Sequence, residues 1–481
     1  MGRMKLSVPL YFFLFVLLLL IFFHTRGVIV HDEGYVLNSA QKILSGETIY
    51  KDFHFSYTPG SVFLVSLFFS IFGHSVLASR LLMILVSLIS AILIFLIAKQ
   101  ITKRDVYGYV CVSMYLAWGP THINFAWPVM FVIPVSMLTI YILSKNATKT
   151  ISWVPFAAGF LSFLVFLFKQ NFGIIFIAVL FALITSKEFK KNHILYAIYG
   201  LLWGVILFGI YLLLTNSVGA FISDFYEFTI RKVLLNNDIT TPLFYNDTPI
   251  KVASRSLLYF SPLYLSAIAT LLLLYRKRYY LLFIPLTVAL FLFVGIRPTT
   301  DYVHVIPILS LCGIPLIIIA NQFPTTLNKL TIYSLFILLI VVGFHSALFR
   351  GYYRWDRILA ENNQYIGGRL KVFTNPQFSS AQYALQDLID KHTKKDDYIF
   401  INSYSPLLYF TLERKNPTAY DFPGFIPSKM YEETVIYNLI AKDVKVVLLT
   451  SPKDTSPIGT YVRTHYLLHS QIGDFFVYSK T

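Results

Sequence analysis

Two adjacent carboxylates, Asp32 and Glu33, open the segment HDEGYVLNSAQKILSGETIYKDFHFSYTPG, which runs from His31 to Gly60 directly after a run of Leu, Phe, Val and Ile between Val8 and Phe23. A carboxylate held at the water-facing end of an apolar span is placed to take a proton from a hydroxyl, the step that makes a poor nucleophile reactive. A third acid, Asp52, sits in an aromatic-rich turn from Tyr50 to Tyr57, before the chain re-enters apolar sequence at Pro59. The plain use of Asp32 is to start a helix, capping its exposed amides and meeting the positive end of its dipole. That use leaves Asp52 and the aromatic turn unexplained.

The elements that must position these groups follow from periodicity. Val36, Leu37, Ala40, Ile43 and Leu44 recur at helical spacing while Asn38, Gln41 and Lys42 fall elsewhere, which predicts an amphipathic helix lying in the membrane interface and ended by Gly46. The stretch Pro59 to Phe72 is short for a span and is expected to lie along the membrane surface or dip into it. The first apolar run is read as a retained anchor, because His24, Thr25 and Arg26 follow it where a small-residue cleavage pattern would mark a signal peptide.

Composition marks a polytopic membrane protein: of 481 residues 56% are hydrophobic and 13% charged. Apolar spans are predicted at about 8–25, 76–98, 106–118, 125–144, 151–168, 171–186, 194–215, 256–275, 279–296, 302–320 and 330–349. With Met1 in the cytoplasm, the alternate loops hold Lys99, Lys103 and Arg104, then Lys145 and Lys149, then Lys187, Lys190 and Lys191, then Arg276, Lys277 and Arg278, then Lys329. This is the positive-inside pattern, so the net charge of +16 reports topology rather than nucleic-acid binding. It puts Asp32, Glu33, Asp52, Asp224 and Asp301 on the extracytoplasmic side of a multi-pass plasma (inner) membrane protein. Cys111 and Cys312 lie in apolar runs and read as buried small hydrophobes.

The predicted fold class is a polytopic α-helical membrane protein of about eleven transmembrane helices with a small extracytoplasmic C-terminal α/β domain. The first domain covers 1–349, with outer loops at about 26–75 and 216–255, and the second covers 350–481. In the second, Tyr398 to Ile401 and Val444 to Thr450 read as buried strands; Phe378, Ala381, Leu385, Leu388 and Ile389 form one helical stripe, and Met430 to Ile440 another helix.

The Asp-Glu pair after the first span, the helix behind it, Gly46, Tyr50, Asp52 and the Pro-led apolar stretch resemble the GT-C superfamily of polyprenyl-phosphate-dependent glycosyltransferases, in its protein-mannosyltransferase and aminoarabinose-transferase branch. The resemblance implies transfer of a sugar from a polyprenyl-phosphate donor to a lipid, glycan or protein acceptor at the outer surface, with Asp32 as base, Glu33 beside it, and no nucleotide or soluble cofactor. The aminoarabinose branch carries a basic residue three positions after its first acid and a Lys before its Pro pair; here Tyr35 and Tyr57 stand at or near those places. Other cations must then meet the donor phosphate: Lys169 in FKQNFG, Arg80 at the start of a span, and Arg297 in GIRPTTDYVH. Lys169 has an equally weighted plain reading, snorkelling to headgroups, and Arg297 has one as a partner of Asp301. Tyr35, Asp52, Tyr57, Tyr302 and His304 are the expected substrate contacts. His31, His54, His122 and His304 show no metal-ligand spacing, and a divalent ion on Asp32, Asp52 or Asp224 has no support in the pattern. Polytopic lipid flippases and glycan polymerases or ligases share the composition. The gathering of charges at one face favours a surface enzyme.

Overall fold

The computed structural model describes residues 7–146, 153–187, 190–227, 230, 248–296, 302–321, 326–349, 354–361, 363–421 and 428–480. In chain order the first helices are α1 (Ser7–His24), α2 (Asp32–Leu44), α3 (Gly60–Phe72), α4 (Val76–Thr102), α5 (Asp105–Trp118), α6 (Pro128–Lys145), α7 (Trp153–Phe168), α8 (Ile175–Ile184), α9 (Lys191–Leu214) and α10 (Val218–Phe225). They are followed by α11 (Pro249–Tyr259), α12 (Ser261–Tyr275), α13 (Phe283–Gly295), α14 (Tyr302–Leu309), α15 (Gly313–Ala320) and α16 (Thr326–Phe349). The remainder is mixed: α17 (Trp355–Glu361), β1 (Gln364–Ile366), β2 (Val372–Thr374), α18 (Pro376–His392), β3 (Ile399–Asn402), α19 (Pro406–Leu412), α20 (Ser428–Ala441), β4 (Val446–Leu449), α21 (Pro457–His465), β5 (Leu467–Ile472) and β6 (Phe475–Ser479).

Among the described residues α4, α6 and α9 are long and apolar enough to cross a membrane, and α11 with α12, bent by 50°, adds a fourth candidate if the pair forms one span. Shorter apolar helices, α1, α7 and α13 among them, occupy further predicted spans. The segment expected as one span at 302–320 is broken between Leu309 and Gly313. Pro307 and Pro315 each remove a helical donor, which is the local cause.

The compact units do not follow the linear division at 349/350. One holds Met1–His24, Ser56–Ser61 and Leu82–Asp356; the other holds Thr25–Phe55, Val62–Leu81 and Arg357–Thr481. Most of the first outer loop therefore groups with the C-terminal chain, while Ser56–Ser61 belongs with the helices. In the helical unit α7 and α9 pack at backbone contact: a Cβ on Gly159 would lie 1.9 Å from the Ala197 carbonyl oxygen, and one on Gly200 would lie 2.0 Å from that of Phe156. Gly200 and Gly204 form a G-x-x-x-G pair, the small-residue stripe that lets membrane helices approach closely.

In the second unit β3, β4, β6 and β5 form one sheet in that order, with β3 and β4 parallel and the other pairs antiparallel. Successive residues of β4 point to opposite faces. Val447 and Leu449 pack with Val435, Leu439 and Val462, while Val446 and Leu448 pack with Leu385, Ile389 and Leu408. Both faces are covered by helices, so all of β4 is apolar, as parallel-sheet strands require. Glu413 ends α19 in the left-handed region and accepts from Arg369 Nε at 2.6 Å, with Lys395 Nζ 2.5 Å away. Burial pushes its carboxyl up, but the hydrogen bonds from Lys395 and Arg369 outweigh burial and hold it below the ordinary carboxylate range. A lowered folded-state value means that the stabilisation is complete above the unfolded carboxylate range and is lost as pH falls through the lowered value. Glu413→Gln is expected to lower stability at neutral pH by no more than about 1 kcal/mol, as for a partly solvated pair. The difference from the parent should vanish in acidic thermal melts of the full chain.

The interfacial helix expected behind Asp32 is α2, and the structure corrects its setting. From Glu33 to Ala40 every residue is buried, and so is Lys42. The polar face is satisfied by protein rather than water: Asn38 Nδ2 donates to Asp421 Oδ2 at 2.8 Å and Lys42 Nζ to Asp421 Oδ1 at 2.9 Å. Opposite-sign burial of this kind is compatible with a helix core only when every charge is matched.

Candidate active site

Asp32 is the first residue of α2 and is half exposed. The N-cap position itself is His31, which makes no side-chain cap hydrogen bond, and Asp32 falls in the first turn. Tyr404 Oη donates to Asp32 Oδ1 at 3.1 Å, and the Tyr404 ring stacks on His31 with centroids 5.2 Å apart. His31 Nδ1 also meets the Tyr404 carbonyl oxygen. Tyr404 lies in the turn between β3 and α19, where NSYSP follows a buried strand. Sequence reasoning passed over it, although the carboxyl end of a parallel strand is where α/β sheets present functional groups. The carboxylate thus accepts a charge-assisted hydrogen bond from Tyr404 and stands at the N-terminus of α2.

Glu33 points elsewhere. It is fully buried with Arg80, whose Nε lies 2.5 Å from Oε1 and whose Nη2 lies 2.7 Å from Oε2. Oε2 also accepts from the Ile29 amide at 3.1 Å, and Arg80 Nη2 donates to the Gly27 carbonyl at 3.3 Å. This four-point clasp fixes the turn from Gly27 to Glu33 on which Asp32 stands. It engages two residues expected as catalytic and phosphate-binding, Glu33 and Arg80, with each other. In its first turn α2 lies directly on α19: a Cβ on Gly34 would come within 2.1 Å of the Leu407 amide nitrogen, and that amide donates to the Val30 carbonyl at 3.2 Å. Only glycine permits this approach.

The helical unit holds a second constellation. Lys169, between α7 and a short 3-10 turn at Gln170–Ile174, is 3% exposed. Its Nζ stands 5.5 Å from the Tyr57 ring centroid, 5.7 Å from that of Phe172 and 6.0 Å from that of Trp127. The snorkelling reading predicts an ammonium in headgroup water; the three rings hold it within the protein by cation–π attraction instead. Tyr57 is brought there because its segment is laced to the same turn. Thr58 Oγ1 donates to the Phe166 carbonyl at 2.6 Å, Gln170 Nε2 to that of Ser56 at 3.1 Å, and the Thr58 amide to Gln170 Oε1 at 3.2 Å. Two expected binding residues, Lys169 and Tyr57, therefore meet, with Trp127 as a third member that the sequence left unmarked.

Tyr35 is 1% exposed, stacks on Phe55 and reaches the His54 carbonyl oxygen at 3.5 Å, so it serves the core rather than a substrate. Asp52 Oδ2 accepts from the Thr48 amide at 2.7 Å, closing its own turn, and lines a polar cavity of about 470 Å³ together with Lys42 and Glu47. His304 is half-buried in α14. Tyr302 begins that helix, and its side chain, like Arg297 and Asp301, lies outside the described residues. In the loop expected at 216–255, Asp224 falls in α10, while Arg231, Lys232, Asp238 and Asp247 lie outside the described residues. His122 Nε2 lies 3.0 Å from the Ala117 carbonyl and 3.2 Å from that of Gly343, a structural use.

Residues 56–213 match the family model described as dolichyl-phosphate-mannose-protein mannosyltransferase. No curated protein matches the chain in sequence. The fold is that of ArnT from Cupriavidus metallidurans: the crystal structure bound to undecaprenyl phosphate aligns with a TM-score of 0.63 at 13% identity over 98% of each chain. The apo form of that protein aligns at 0.57 and 14% identity over 99% of this chain and 98% of that one. The archaeal oligosaccharyltransferase AglB from Archaeoglobus fulgidus, in complex with an inhibitory peptide and a dolichol-phosphate, aligns at 0.46 and 11% identity over 99% of this chain and 75% of that one.

Proposed function

We propose that this chain, a multi-pass membrane protein with the GT-C fold, transfers a sugar from a polyprenyl-phosphate-linked donor to an acceptor hydroxyl. The observation that carries the reading is the half-exposed Asp32 carboxylate, fixed at the start of α2 by Tyr404 in front and by the Glu33–Arg80 clasp behind. In this reading Asp32 takes the proton as the acceptor oxygen attacks the anomeric carbon, the bond to the lipid phosphate breaks, and a single displacement inverts the sugar. Within the helical unit, Lys169 with Tyr57 beside it is the cation offered to a lipid phosphate. Glu33 and Arg80 are positioning residues. The positive-inside pattern supports an extracytoplasmic reaction face, about eleven spans and an outer C-terminal α/β domain in the plasma (inner) membrane. The match of residues 56–213 to a mannosyltransferase family model and the polyprenyl phosphate bound by ArnT support a lipid-linked donor.

The test is transfer of labelled sugar by purified full-length protein in lipid nanodiscs, with a panel of polyprenyl-phosphate sugars and EDTA present. The expected result is metal-independent release of polyprenyl phosphate coupled to acceptor labelling. Movement of the lipid between leaflets without transfer overturns the reading.

Removing one cationic donor from a developing oxyanion typically costs about 2.7 to 4 kcal/mol. Lys169→Ala is therefore expected to slow turnover by about 10²- to 10³-fold and to weaken retention of polyprenyl phosphate in a lipid-binding assay. An unchanged rate would assign the ammonium to packing among its three rings.

A further inference from the structure

A cleft of about 580 Å³ opens in the second unit beside the Asp32 turn, at the carboxyl ends of β3 and β4. His31, the residue before Asp32, and Ser403 and Ser405, the residues on either side of Tyr404, line it. Asp32 and Tyr404, which are joined by a hydrogen bond, are each next in sequence to a residue of the lining. Its size falls in the range of small-molecule sites, roughly 300 to 1,000 Å³, and its place follows the general rule for ligand crevices in open α/β sheets.

The lining specifies a chemistry. Among the described lining residues there is no Lys or Arg, and Asp474 is the sole carboxylate, so an anionic ligand would meet no permanently charged cation. Phe378 and Phe475 are half-buried and offer aromatic surface, while Gln377 and Gln382 offer amides, each both a donor and an acceptor. Gln382 is 7% exposed, and its Oε1 is a buried acceptor with no hydrogen-bond donor among the described residues. An orphaned buried acceptor costs about 1 to 3 kcal/mol unless a water or a ligand satisfies it. Apolar ring surface beside neutral amides fits a molecule with a C–H face and a rim of hydroxyls.

We propose that this cleft binds a neutral saccharide, the terminal unit of the acceptor glycan, and presents one hydroxyl toward Asp32. The proposal rests on the transferase reading for the word acceptor, but the binding itself does not. The absence of Lys and Arg from the described lining disfavours acidic glycans and phosphorylated glycolipids, and the aromatic faces of Phe378 and Phe475 favour a sugar ring over a peptide.

The experiment is a binding measurement on the full-length protein in nanodiscs without any sugar donor, so a failed transfer assay leaves its readout intact. Probes are neutral hexose and N-acetylhexosamine oligosaccharides, the same saccharides carrying carboxylate or phosphate groups, and Ser/Thr peptides. Neutral saccharides are expected to bind and the charged ones to bind at least about tenfold more weakly, the discrimination of one unpaired buried group. Gln382→Met removes the orphaned acceptor, so it should leave the melting temperature unchanged or raised while weakening saccharide binding about tenfold. Phe378→Ala should weaken it as well. The proposal is overturned if no neutral saccharide binds at up to about 10 mM, a free energy too weak for a substrate site. It is equally overturned if both variants bind as the parent does, or if acidic saccharides or peptides are preferred.

Discussion

Asp32→Asn is expected to leave the chain folded and able to retain polyprenyl phosphate while slowing sugar transfer by about 10²- to 10⁴-fold, the usual worth of a positioned general base. The substitution is nearly isosteric, and the amide oxygen still accepts from Tyr404 Oη, which lies 3.1 Å from the carboxylate in the parent. What is lost is the capacity to take a proton from the attacking hydroxyl. A structural role predicts the opposite pair of results. A carboxylate in the first turn of a helix contributes about 0.3 to 1 kcal/mol through the dipole, so a purely structural Asp32 would lower the melting temperature and spare the rate. Tyr404→Phe separates orientation from proton transfer. It removes one charge-assisted hydrogen bond, worth about 1.5 to 3 kcal/mol, and should give an intermediate rate. Initial rates with a labelled polyprenyl-phosphate sugar, alongside thermal melts, decide between the two: near-normal transfer by Asp32→Asn removes this residue from the mechanism.

The acid pair was legible in the sequence because its position relative to the apolar runs carries the information. Division of labour within the pair was not, because Asp32 and Glu33 are distinguished only by what reaches them from Arg80 and Tyr404, 47 and 372 residues away. The same limit applies to α2. Its apolar stripe and its start at Asp32 follow from helical spacing, yet the polar face looked wet because Asp421, which receives both Asn38 and Lys42, is a lone acid in an irregular stretch. In the C-terminal chain, β3 and β4 announce themselves as continuous apolar runs covered on both faces. Strands β5 and β6 did not: LLHSQI, at the sheet edge, has no buried position, and FFVYS passes from half-buried to buried without alternation. Lys169 was visible as a lone ammonium between apolar runs. Its ring partners Tyr57 and Trp127 are brought to it by segments far apart in the chain, a juxtaposition that no local spacing records.

Arg80→Met should destabilise the second unit by about 3 to 5 kcal/mol, the penalty for leaving one member of a buried ion pair uncompensated. Arg80 and Glu33 are both 0% exposed, so solvent has no access to relieve the remaining carboxylate. Glu33→Met should cost a comparable amount for the mirror-image reason. The double variant Glu33→Met/Arg80→Met is expected to recover most of the lost stability, since removing both charges removes both desolvation penalties and leaves apolar side chains of similar volume. Recovery of stability is not expected to bring recovery of rate. Glu33 Oε2 receives the Ile29 amide and Arg80 Nη2 holds the Gly27 carbonyl, so without them the turn entering α2 loses the contacts that aim Asp32. A 1 Å displacement of a reacting group can cost about 10²-fold. The double variant should accordingly show a reduced kcat with little change in KM for the lipid donor. Chemical denaturation of the three variants measures the first effect and steady-state transfer the second; a double variant as stable and as active as the parent would reduce the clasp to packing.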